Sequence, residues 1–122
     1  MIILGINAYH PNSSACLLIN GELKIAIEEE RINRIKNWSG LPIQAIDHCL
    51  MSQNLKISDI DNVAINQNFY ANIFSKLKYS LLNRPNITFL SKTINNKIKR
   101  KNLLKLLQKN FGDFKNNCKL IG

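Results

Sequence analysis

The residues best suited to chemistry gather in one short stretch, NAYHPNSSA at positions 7–15, between two apolar runs. His10 is its imidazole, placed in a turn from which a side chain can project into a cleft. Imidazole exchanges protons near neutral pH, so His10 is an acid/base candidate. Its other reading is a loop histidine that caps its own turn. Asn7, Asn12, Ser13 and Ser14 crowd the same loop, and side chains of these types readily build Asx or ST turns. Only Gly5 and Gly21 precede residue 40, which excludes a glycine-rich phosphate loop of the Walker or dinucleotide kind.

A second polar cluster follows at 28–31: Glu28, Glu29, Glu30 and Arg31, with Arg34 and Lys36 nearby. Runs of this kind are usually solvated faces, but this one leaves an apolar strand directly. An arginine there can clamp a carboxylate or phosphate through two parallel hydrogen bonds, which lysine cannot copy. Trp38, in NWSG, reads first as a core anchor. His48 reads as a structural histidine on or near the apolar face of a helix. Two distant histidines with no further ligands cannot hold zinc. Cys16, Cys49 and Cys118 form no Cys-x-x-Cys pair and read as reduced thiols.

These residues need a frame, and the pattern supplies one. Residues 2–6 and 15–19 are short apolar runs of buried-strand type, and 23–27 forms a third strand. Asn20-Gly21 between the last two is a strong hairpin signal, because both positions accept positive φ. Pro42 opens a helix to about Gln53, with Ile43, Ile46 and Leu50 expected on one face. Residues 62–66 form a fourth strand. Residues 69–83 read as helix, broken by Arg84-Pro85. Beyond, Ile94, Ile98 and paired leucines at 103–107 fit one or two basic amphipathic helices, and 119–121 a last strand. The order β-β-β-α-β-α-α-β predicts an α/β unit with a mixed sheet.

With 122 residues the chain has room for one core. No apolar run spans a bilayer, and Met1–Leu4 lacks a basic leader, so the expected place is the cytoplasm, with no membrane partner. The net charge of +9 is uneven. Residues 1–85 hold 8 Lys and Arg against 7 Asp and Glu, whereas residues 86–122 hold 9 against 1. Lys97, Lys99, Arg100, Lys101, Lys105 and Lys109, with Phe111 and Phe114 nearby, could track a polyanion. The simpler reading is a solvated helix face whose opposite side packs on the core, so a nucleic-acid partner is not expected.

The stretch ILGINAYHPNSSACLLINGELKIAIEEERINRIKNWSGLPIQAI, with DIDNVAIN after it and NRP at 83–85, resembles the N-terminal part of the carbamoyltransferase family, the nodulation-factor and antibiotic O-carbamoyltransferases. The resemblance implies the N-terminal portion of an actin-like ATPase (ribonuclease H-like) fold. It covers residues 1–85 best, with 86–122 a variable basic helical segment. It further implies transfer of a carbamoyl group from carbamoyl-adenylate to a small-molecule hydroxyl acceptor. ATP and a divalent metal, iron, would serve the complete enzyme. His10 would assist proton removal from the acceptor, and the loop with Asn7, Asn12, Ser13 and Ser14 would wrap phosphate through backbone N–H groups and hydroxyls. Relatives often carry Asp at the place of Asn12, so one charge is missing here. Arg31 would contact substrate, and Trp38 would line the cleft. Such a domain is still incomplete at Gly122, so the chain is expected to be inactive without a remainder. The class alternative is a non-catalytic remnant or interaction module that binds a polyanion through its basic tail.

Overall fold

The structure, a computed structural model, describes residues 1–66 and 102–121. Strands β1 (Ile2–Asn7), β2 (Ser14–Ile19) and β3 (Glu22–Glu28) form an antiparallel meander. Its second turn is the expected one: Asn20 and Gly21 take φ of 53° and 86°, the left-handed pair that matches strand twist. A β-bulge between Leu17 and Leu18 shifts the register near that turn.

The chain then crosses over through α1 (Glu30–Asn33), α2 (Ile43–Ser52) and a 3₁₀ turn (Ile57–Asp59). It returns as β4 (Asn62–Ile65), parallel to β1. Helix α3 (Leu103–Phe111) leads to β5 (Lys119–Ile121), parallel to β4. The strand order is β3-β2-β1-β4-β5. A central strand with an antiparallel hairpin on one side and parallel strands on the other makes the mixed α/β sheet that the element order predicts. The helix expected at 69–83, and the part of the basic helical segment around Ile94 and Ile98, lie outside the described residues.

Strand alternation decides which face is buried. Leu4 stands opposite Leu17 and Val63, and Ile6 opposite Ala15 and Ile65. Helix α2 adds Ala45, Ile46, Cys49 and Leu50 to this core. Helix α3 adds Leu103 and Leu107, both wholly buried in the same cluster. Full burial of each such leucine stabilises the fold by roughly 1.5–3 kcal/mol. The described part of the basic tail is thus structural on one side, while Lys105 and Lys109 stay exposed on the other.

Two expectations about α2 are corrected. Ile43 is exposed rather than on the buried face, which runs through 45, 46, 49 and 50 instead. His48 is also exposed, beside exposed Asp47, so it is a surface residue and not a core histidine.

Asp61 joins the two ends of the fold. One carboxylate oxygen accepts the Ile2 N–H at 2.7 Å, and the other accepts Lys115 Nζ at 2.7 Å. The hydrogen bond from Lys115, then that from Ile2, holds this carboxyl below its ordinary value of 3.8. A depressed carboxylate stabilises the fold above its unfolded pKa, and that stability is lost as pH falls through the lower, folded value. Urea midpoints measured from pH 6 downward should therefore drop below about pH 4, and less steeply for Asp61→Asn. Identical slopes for both chains would remove Asp61 from the account.

Candidate functional site

The side chains that point away from the core form two rows. Cys16 stands opposite Gly5 on one side and Ala26 on the other, and Gly5 also faces Ala64. The next row is polar: Glu28 opposite Ser14, and Ser14 opposite Asn7. Asn66 extends it by donating Nδ2–H to Asn7 Oδ1 at 2.7 Å. Small residues in the first row and amides, a hydroxyl and a carboxylate in the second leave an open hollow of about 480 Å³. Gly5 is needed here for space, since a Cβ would lie 2.5 Å from Cys16 Sγ.

The thiols are not poised to react. Burial pushes Cys16 up, partly offset by a hydrogen bond with the Gly5 backbone, so the sulfur beside the hollow is a neutral thiol at pH 7. Burial, then the nearby Cys16, pushes Cys49 up to about 11. Cys118 is raised as well, first by burial. All three cysteines are free.

The loop between β1 and β2 rises at the polar end of the hollow. Asn7 donates to the Asn12 carbonyl at 3.0 Å and so closes the loop's base. Tyr9 and Asn12 take φ of 58° and 60°. Asn tolerates the left-handed region, but a bulky residue such as Tyr occupies it only when its surroundings hold it there. Between them, His10 is exposed, with Nδ1 3.2 Å from the Pro11 carbonyl oxygen. The ring therefore both leans on its own turn and meets solvent.

Ser13 and Glu29 are the two buried polar side chains among the described residues. The Ser13 hydroxyl lies 2.8 Å from the Gly40 carbonyl and 3.1 Å from that of His10. Its N–H donates to Trp38 O, and its carbonyl accepts the Glu29 N–H, both at 2.9 Å. The Glu29 carboxylate accepts the N–H groups of Gln44 (3.2 Å) and Ala45 (2.7 Å) at the start of α2. A charge run read as a solvated face thus hides one member that is 3% exposed.

The predicted site residues fall into three groups. Asn7 and Ser14 line the hollow, and His10 and Asn12 stand on its loop. Ser13 lies beneath that loop and supports it. Arg31 is exposed, its Nε 3.9 Å from Glu28 Oε2, and meets the hollow only through Glu28. Trp38 is half-buried behind the loop, with a buried indole N–H that has no partner among the described residues. Sequence reasoning missed Glu29, Gly40 and Asn66. A glutamate followed 13 residues later by a proline-led helix start was the available hint for Glu29. Among the described residues, no three His, Cys, Asp or Glu side chains converge as metal ligands. No helix among them is long and apolar enough to cross a membrane.

A family model described as carbamoyltransferase N-terminus matches residues 2–119. The chain belongs to that family. Over 58 residues, 48% of this chain, it is 40% identical to the nodulation protein NolNO of Sinorhizobium fredii, covering 8% of that protein. It is 43% identical over 58 residues to an uncharacterized 19.2 kDa protein of Rhizobium etli, 34% of whose length is matched. An uncharacterized Synechocystis protein matches at 36% over 61 residues, 10% of its length. The chain thus spans about a third of one of these relatives and a tenth or less of the others. Among solved structures it is similar to YeaZ from Pseudomonas aeruginosa, with 15% identity and a TM-score of 0.40, over 55% of this chain and 30% of that one. The loop and the charged cluster after the third strand both fall within the matched residues.

Proposed function

We propose that the chain supplies the hairpin wall of a carbamoyl-transfer site. The observation that carries this reading is the exposed His10, raised on a loop beside a hollow with a row of polar side chains. In the reaction, an acceptor hydroxyl oxygen bonds to the carbamoyl carbon of carbamoyl-adenylate. The carbon–oxygen bond to the phosphate breaks, and AMP leaves with the electron pair. His10 takes the hydroxyl proton as the new bond forms. Asn7, Asn12 and Ser14 face the adenylate phosphate with amide and hydroxyl donors, and Ser13 shapes that loop from below. Arg31 and Trp38 belong to the acceptor side. ATP and iron remain expectations of the family, and no step is routed through a metal. Partners in this reading are the hydroxyl acceptor, carbamoyl-adenylate and the remainder of the enzyme, in the cytoplasm.

Titrating the ¹⁵N-labelled chain with AMP tests the phosphate side. Amide shifts at Asn12 and Ser14 and a shift of the His10 ring are expected, saturating at roughly millimolar ligand for so partial a site. Shifts that avoid this loop, or none at tens of millimolar, would overturn the reading.

The polyanion alternative loses ground at α3. Phe111 and Phe114 pack against the core instead of offering free faces for base stacking. Lys97, Lys99, Arg100 and Lys101 lie outside the described residues.

A further inference from the structure

The loop that carries His10 has no regular structure of its own, yet its conformation is specified from outside. We infer that Ser13 and the turn at residues 38–40 form a brace that positions His10, with Ser13 and Gly40 as positioning residues. The inference rests on the proposed role of His10.

Three contacts make the brace. The Gly40 carbonyl accepts from both the Tyr9 N–H, at 3.3 Å, and the Ser13 hydroxyl, at 2.8 Å. The Trp38 carbonyl accepts the Ser13 N–H at 2.9 Å. These bonds reach both sides of His10, one residue before it and three after. They hold Tyr9 in its left-handed conformation, which sets the direction in which His10 leaves β1. The Ser13 hydroxyl also touches the His10 carbonyl directly, at 3.1 Å. Below the brace, the Glu29 N–H binds the Ser13 carbonyl, while the Glu29 carboxylate holds the start of α2. The loop is therefore tied to a core helix rather than to its own strands alone.

Gly40 is required at its position for a separate reason. A Cβ there would fall 2.8 Å and 2.9 Å from carbons of the Trp38 ring. Either the indole or the backbone of the turn at residues 38–40, which carries both acceptor carbonyls, would have to shift. Trp38 thus acts as the wedge that keeps the brace in register.

Amide hydrogen exchange on the unsubstituted chain is the first arm of the test. The Ser13 and Glu29 amides should be protected like those of β1 and β2, whereas the amides of His10 and Asn12, to which no backbone acceptor is assigned among the described hydrogen bonds, should exchange quickly. Ser13 and Glu29 amides that exchange as fast as Asn12 would overturn the brace. The second arm compares Ser13→Ala and Gly40→Ala. Each should speed exchange at Tyr9, Ser13 and Glu29 by about tenfold or more, leaving Leu4, Leu17 and Val63 unchanged. An equal rise at all sites would mean general destabilisation and would also overturn it. The His10 ring serves as the separate readout. Its AMP-induced shift should shrink in both variants if His10 is positioned by the brace. Intact exchange effects with a ring shift equal to wild type would refute positioning. A ring that ignores AMP even in the wild type would instead sink the role proposed for His10, while the exchange data still decide whether the brace exists.

Discussion

Glu29→Ala is expected to destabilise the fold by about 3 kcal/mol, because it strips the start of α2 of its buried acceptor. A helix begins with N–H groups that have no partner within the helix. The residue before α2 is Pro42, which has no side-chain oxygen to offer, and no local side chain caps the helix. Glu29 fills that role from 15 and 16 residues away, on the N–H groups of Gln44 and Ala45. Hydrogen bonds to a charged group contribute about 1.5–3 kcal/mol, and the positive end of the helix dipole adds to them. Against a total stability of roughly 5–15 kcal/mol, that loss is large. Urea unfolding followed by circular dichroism measures it directly. Glu29→Gln, which keeps one carbonyl acceptor, should lose clearly less. A Glu29→Ala change within about 0.5 kcal/mol of wild type, the range of an ordinary surface substitution, would show that the carboxylate does not cap α2.

Why was so much of the sheet legible in the chain while this cap was not? The meander announces itself locally: short apolar runs at residues 2–6 and 15–19, and an Asn20-Gly21 pair whose φ values of 53° and 86° are those the pair suggests. Residues 62–66 and 119–121 read as strands for the same reason and take their places beside β1 and β4. Glu29 differs because nothing local distinguishes it from Glu28 and Glu30. Its burial follows only from where the crossover brings α2, a tertiary fact. Ile43 failed for a related reason. Helical periodicity identifies a face but leaves its rotation free, and the sheet selects 45, 46, 49 and 50.

The site divides in the same way. The crowding of His10, Asn12, Ser13 and Ser14 in one loop is visible in sequence, since those residues are neighbours. Which of them can meet a ligand is not. Ser13 and Ser14 look interchangeable as letters, yet strand pairing turns Ser14 toward the hollow and leaves Ser13 at 0% exposure among backbone carbonyls. Glu28 and Asn66 join the hollow only because β3 and β4 flank the same hairpin strands. Trp38, readable either as an anchor or as a cleft wall, serves the loop through its backbone carbonyl and its contact with Gly40.

Leu107→Ala is expected to cost about 2–5 kcal/mol, and Leu103→Ala a similar amount, because each empties space in a sealed core. Both leucines are 0% exposed, and both belong to the cluster that holds Leu4, Ile46 and Val63. The charged residues between and after them, Lys105 and Lys109, face solvent. Replacing those two lysines with alanine should change stability by no more than about 0.5 kcal/mol. The contrast separates the two readings of the basic segment. If its value lay in charge, the leucines would matter little to the folding of residues 1–66 and the lysines would matter to a polyanion. If α3 closes the core beneath the sheet, a single leucine truncation should lower the urea midpoint of the whole domain, with β1 and β2 amides losing protection together with those of α3. Stability unchanged by both leucine substitutions would detach α3 from the core and strengthen the polyanion alternative. The burial of Leu103 and Leu107 and the tie between Lys115 and Asp61 favour the first outcome, in which the segment that looks most like a binding tail is needed to hold together the scaffold under the His10 loop.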